Sequence, residues 1–200
     1  MAKQRIEYID LSKGFCILLV VFVHANSAFL GGAQFALQDA LESFWMPLYF
    51  FLSGLFFKTY EGWMSFSLRK VNKLIVPFLF FHIISFFIFT FLLRQSFKWE
   101  LLWCFTIHPY HAYNIPLWFL LCLFWLNQLF YGLYKISFAT RYPLAVLITG
   151  TVLLGVLGYS IGGTQYDFRV MNLSTALTAM PFFSAGYIFN RHTSILQPAR

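Results

Sequence analysis

Charge is scarce in this sequence. Charged residues make up only 10% of the 200, and seven in all are acidic, where an average soluble domain carries roughly 25% charge. That shortage excludes an ordinary water-soluble globule. Cysteine is nearly absent as well: Cys16, Cys104 and Cys122 are odd in number, and two lie inside apolar runs. This excludes a disulfide framework and leaves them as small apolar residues. No Gly/Ser-rich linker and no repeat of 20–50 residues divides the chain, so residues 1–200 read as one membrane domain. The net charge of +7 is not gathered into a basic patch with interleaved polar residues, so nucleic acid is not expected as a partner. In place of charge the chain is 60% hydrophobic and 22% aromatic, with 27 Phe, and its mean hydropathy is +0.68. That composition points to the lipid bilayer.

A helix crossing a hydrocarbon core of ~30 Å needs about 20 apolar residues. Such runs occur at 14–31, 41–57, 74–93, 116–134, 143–162 and 173–190, the second and sixth interrupted by Pro47 and Pro181. The expected fold is therefore an all-α, polytopic transmembrane helix bundle of about six spans. Proline inside a span is tolerated where neighbouring helices satisfy the freed carbonyls, which places both prolines in the bundle interior. The first run follows "MAKQR" and precedes "ANSA", as a signal peptide would; its internal histidine and the five later spans favour a retained helix.

Even-numbered crossings return the chain to its starting side. That side holds Lys3, Arg5, Lys13, Lys58, Arg69, Lys70, Lys73, Lys135, Arg141, Arg191 and Arg200, eleven of the fourteen basic residues, against Arg94, Lys98 and Arg169 opposite. Positive-inside bias then puts both termini in the cytoplasm. The tryptophans and tyrosines of the outer loop 94–115 suit a membrane interface.

The stretch "IDLSKGFCILLVVFVHANSAF", residues 9–29, carries the sharpest chemistry. Lys13 and His24 are eleven helical steps apart, which sets them ~16 Å apart along the axis and within about 20° of one face. Asp10, three residues before Lys13, is placed to pair with it. An ionisable group inside a span is a functional hypothesis by default. Against this, Lys13 alone reads as a snorkelling anchor, and His24 as an interhelical hydrogen-bonding residue. The chemical reading is that neutral His24 takes a hydroxyl proton as a general base, with Asn26 and Ser27 nearby to position a partner.

Other polar residues invite plainer readings. His82 lies mid-span and reads as an interhelical histidine. His108 and His111 have a metal-like spacing without a third ligand nearby, so no metal is expected. Glu42 at the outer mouth is placed to orient an acceptor, although a merely solvated residue is the plainer reading, and Ser53 and Gly54 read as small residues for close helix packing.

"RIEYIDLSKGFCILLVVFVH" resembles the opening of the acyltransferase-3 family, integral membrane O-acyltransferases that decorate bacterial surface glycans. Asp10, Lys13 and His24 match its acidic, basic and histidine positions in order and spacing, with Lys where Arg is frequent. "FWMPLYFFLSGLFFK" resembles the second-helix pattern, Lys70-Val71-Asn72-Lys73 with Leu74 and Pro77 resembles the paired basic residues entering the third, and "PLWFL" is similar to a later segment. The resemblance implies transfer of an acyl group, usually acetyl, from cytoplasmic acyl-CoA to a sugar hydroxyl, with no bound cofactor. It implies catalytic roles for His24, Lys13 and Asp10. Arg69, Lys70 and Lys73 would attract the donor's phosphates, although charge that merely sets topology beside headgroups gives the same pattern. Trp118 would line the pocket, where packing is the plainer reading. The implied location is the plasma (inner) membrane, multi-pass.

Family members commonly have about ten spans, so this chain is expected to be the N-terminal part of such a bundle. Two other classes stay open: a transporter or flippase of a glycan intermediate, which intramembrane histidines in interrupted spans would suit, and a truncated or non-catalytic membrane subunit.

Overall fold

The computed structural model describes residues 7–26, 33–60, 62–93, 115–162 and 172–193. All regular structure among them is helical: α1 (Glu7–Asn26), α2 (Ala33–Leu55), α3 (Trp63–Lys70), α4 (Val76–Phe87), α5 (Trp118–Phe138), α6 (Pro143–Gly162), α7 (Leu173–Thr178) and α8 (Met180–Thr193). Two π-helical turns, Val71–Ile75 and Ile88–Leu92, extend α3 and α4 into one continuous helix of 30 residues. Among the described residues, three helices are long and apolar enough to cross a membrane: Trp63–Leu92, Trp118–Phe138 and Pro143–Gly162; Phe44–Leu55 is a shorter apolar stretch. The chain forms two compact units, 1–57 with 182–200, and 58–181.

In the first unit α1 and α2 pack through Cys16 and Trp45, both buried, with Leu19, Val20, Met46, Leu48 and Tyr49 around them. A second crossing is made of backbone. A Cβ on Gly54 of α2 would strike the carbonyl oxygen of Phe183 on α8, and a Cβ on Gly186 would strike that of Phe51. The two helices touch main chain to main chain, the small-residue packing expected of Gly54. Phe57 closes this contact edge-on against Phe183 and Tyr187, with ring centroids 5.9 and 5.7 Å apart.

In the second unit the long helix runs antiparallel to α5: Phe66 meets Tyr131 near one end, and Phe78 meets Leu121 near the other. Gly62, at φ 80°, starts α3 in a conformation that glycine adopts without strain. The first π turn has a covalent cause. Pro77 offers no N–H to the carbonyl four residues back, so the helix widens, and the amide of Val76 donates to the carbonyl of Val71 instead. At ~1.5 Å per residue, 30 residues measure about 45 Å, more than the hydrocarbon core. The polar first turns of α3 therefore stand outside the apolar stretch 74–93.

Helix α6 meets α5 where Gly150 faces Leu133, and meets α7 and Pro181 just after it where Gly155 faces Pro181 and Leu177 and Gly158 faces Thr178, Leu177 and Ser174. Asn172 enters α7 in the left-handed conformation (φ 56°), which asparagine tolerates, and its Nδ2 donates to the carbonyl of Trp118 at 3.3 Å. Hydroxyl and amide side chains on these helices mostly bond their own backbone: Asn127 donates to Leu123, Ser137 to Leu133 and Thr178 to Ser174. That is how a polar group sits in an apolar helix without a partner elsewhere. The expected interruption at Pro181 is present as the break between α7 and α8 at Ala179.

Candidate functional site

The second unit gathers cations from two distant parts of the sequence at one end. On α3, Phe66 is buried, and the helical period brings Lys70 onto the same side one turn later. The Phe66 ring stacks on Tyr131 of α5, centroids 4.5 Å apart and planes 26° from parallel. Over this pair lie two ammonium groups, Lys70 at 5.3 Å from the Phe66 ring and Lys135 at 5.7 Å from Tyr131. The Arg69 guanidinium sits 4.5 Å above Tyr60, whose ring is 6.4 Å from that of Phe66. Three cations are thus seated on three neighbouring rings, an arrangement that fixes flexible side chains by attraction to the ring faces. Lys73 is exposed on the widened turn, three residues after Lys70.

The α3–α5 seam is pinned beside this cluster. The indole Nε1 of Trp63 and the hydroxyl of Ser67 both donate to Oε1 of Gln128, at 3.1 and 2.9 Å. No Asp or Glu occurs among the described residues of this unit, whereas Arg69, Lys70, Lys73, Lys135 and Arg141 all do. The charge is uncompensated from within the unit's described residues, and it suits an anionic ligand bearing several oxygens.

The structure brings together Arg69 and Lys70 but sets Trp118 apart from them. Trp118 begins α5, about 20 Å along that helix from Tyr131, edge-on to Phe119 at 6.0 Å. The remaining predicted residues belong to the first unit. Asp10, Lys13 and His24 all fall within the unbroken helix α1, so the backbone geometry behind their shared face holds. Positions 13 and 24 lie about 60–80° around the helix from Cys16, at the flank of the stripe packed on α2. The side chains of these three residues, and that of Glu42, lie outside the described residues, as do His108 and His111 altogether. His82 is only 3% exposed, and its ring stacks parallel to Phe78 at 5.9 Å.

Sequence reasoning missed Tyr60, Phe66, Tyr131 and Gln128. A glutamine inside an aromatic, uncharged run was a usable signal for the last; the ring partners carried none, because aromatics are everywhere in this chain.

No curated protein and no solved structure matches this chain. The family model of an acyltransferase domain does, over residues 6–200, and the chain belongs to that family, acyltransferase-3.

Proposed function

We propose that this protein is a multi-pass membrane O-acyltransferase of the plasma membrane, with both termini cytoplasmic, which moves an acetyl group from acetyl-CoA to a hydroxyl of a sugar or envelope glycan. The observation that carries the reading is that the family match runs through α1, the unbroken helix on which Asp10, Lys13 and His24 lie. In this scheme the His24 imidazole takes the proton of the acceptor hydroxyl as its oxygen attacks the thioester carbonyl. The C–O bond forms, the C–S bond breaks, and the departing thiolate takes the proton back from the imidazolium. Lys13, oriented by Asp10, adds positive potential on the same face. The cations on the rings of Tyr60 and Phe66, Arg69 and Lys70, hold the donor's phosphates, and Lys135 over Tyr131 adds attraction from the rim.

The test is labelled acetyl transfer from acetyl-CoA into envelope glycan, in membranes bearing the wild-type chain or His24→Ala. Loss of a general base is expected to cost about 10²–10⁴-fold in rate, with insertion and melting unchanged. Equal labelling by both chains would remove His24 from the mechanism. Movement of an unacylated glycan without any donor would favour a transporter.

A further inference from the structure

Gln128 has more to offer than the two bonds it accepts. Its Oε1 is occupied by the Trp63 indole and the Ser67 hydroxyl. A flipped amide would set its NH2 against the Trp63 indole N–H, which can only donate, so the orientation is fixed. Its Nε2 is therefore turned elsewhere, and that atom is buried with no partner. One turn earlier on α5, the indole Nε1 of Trp125 is likewise buried and unpartnered. Positions 125 and 128 are three apart and share a helix face.

The neighbours of that face are set by the seam's own register. Ser67 bonds Gln128, and Phe78 packs on Leu121. By interpolation between those two levels, position 125 falls at the height of positions 71–72, the stretch between Lys70 and Lys73. The Lys70 ammonium is itself held over Phe66, the residue next to Ser67. Along one seam there are thus an indole N–H, a carboxamide NH2 and an ammonium, all donors, in a unit whose described residues include no carboxylate. Buried donors left without an acceptor are costly, and two on one face, on a seam that also carries Lys70, suit an acceptor whose oxygens carry negative charge.

We propose that Trp125, Gln128 and Lys70 form a seat for phosphate oxygens, which here are those of the donor's pyrophosphate. The identity of that ligand rests on the acyl-CoA reading above; the chemistry of the seat does not. A phospholipid headgroup offers the same oxygens, so the test separates the two sources.

The full chain is reconstituted in phosphatidylcholine nanodiscs, with and without phosphatidylglycerol. Binding of acetyl-CoA and of acetyl-pantetheine, which lacks the nucleotide and the pyrophosphate, is measured by calorimetry. Gln128→Glu keeps an oxygen for Trp63 and Ser67 but replaces the NH2 with a second, anionic oxygen. It is expected to weaken acetyl-CoA binding by roughly tenfold or more, to leave acetyl-pantetheine binding unchanged, and to keep the melting temperature. Trp125→Phe, which removes the N–H and keeps an aromatic ring, should cost about threefold or more, and it carries the test if Gln128→Glu fails to fold. Undiminished acetyl-CoA binding by the folded variants would overturn the proposal and leave Gln128 as a pin between helices. Binding of phosphatidylglycerol but not acetyl-CoA, lost in the same variants, would keep the seat and sink the acyl-CoA reading. A wild-type chain that binds neither would overturn the seat.

Discussion

Helices α5 and α6 are of nearly equal length, 21 and 20 residues, and both are long and apolar enough to span a bilayer, yet they meet their neighbours in opposite ways. The inner face of α6 is made of small residues: Gly155 and Gly158 are buried with Leu147 and Thr151, while Ile148, Val152, Leu153, Val156 and Leu157 stand exposed. The inner face of α5 is aromatic and polar, with Asn127, Phe130, Tyr131 and Ser137 buried and Gln128 tied to two side chains of α3. In lipid, where apolar burial gives helices little reason to associate, close backbone approach and hydrogen bonding do that work. Here the two devices are allotted to different helices. α6 is held by shape alone. α5 is held by ring stacking and by the two hydrogen bonds that Gln128 accepts from α3.

The comparison is broken most severely at Gly158. A Cβ there would lie 2.5 Å from the amide nitrogen of Thr178, 2.6 Å from the Cβ of Leu177 and 2.8 Å from the carbonyl oxygen of Ser174. Two of these are main-chain atoms of α7, which cannot swing aside as a side-chain tip can. Gly158→Ala is expected to cost about 3 kcal/mol, despite alanine's better helix propensity. The result should be a melting temperature lowered by several degrees, or loss of the monodisperse protein, measured by size exclusion in detergent. A normal melt would mean that α6 and α7 pack less closely than backbone contact.

The contrast also marks how far the sequence could be read. The run at 143–162 coincides with α6 because Pro143 is suited to a first helical turn and no charged residue interrupts the helix after it. Elsewhere the apolar run was shorter than the helix. α1 begins at Glu7 and the long helix at Trp63, since hydropathy marks where lipid is tolerated, and helical hydrogen bonding continues past that limit. The widened turn at Val71–Ile75 follows from Pro77, which was visible, but a proline signals a disturbed helix without specifying its form. For the site, spacing was enough to put Lys13 and His24 on one helix and Arg69 beside Lys70. It could not show that the cations gather at the Tyr131 end of α5, about 20 Å along the helix from Trp118. Nor could it pair Phe66 with Tyr131, because that contact depends on the antiparallel register of two helices separated by a long loop.

A milder break tests whether every glycine of α6 matters equally. At Gly150 a Cβ would come within 2.7 Å of Leu133 Cδ1, the tip of a flexible side chain on α5, with no main-chain atom comparably close. The leucine can change rotamer, and alanine recovers up to about 1 kcal/mol of helix propensity. Gly150→Ala is expected to shift stability by less than about 1 kcal/mol in either direction. The same melt in the same detergent, run beside Gly158→Ala, gives the comparison directly. Equal losses at the two positions would show that α6 is sensitive along its whole inner face, and not only where it meets backbone.

The smallest effect is expected on α5, at the edge of the cation cluster. Lys135 is exposed, and its ammonium lies 5.7 Å from the Tyr131 ring. A cation over an aromatic face at an exposed site contributes about 0.5–1 kcal/mol, and salt screens its reach to an approaching anion. Lys135→Gln keeps most of the side chain's length and removes the charge. It should raise the KM for acetyl-CoA about two- to fivefold, leave kcat alone and lower the melting temperature by no more than about 4 °C. Repeating the titration at increasing ionic strength should bring wild type and variant together, because the lost contribution is long-range attraction and not a fixed contact. A difference that persisted in high salt would move Lys135 from the rim of the site to direct contact with the donor.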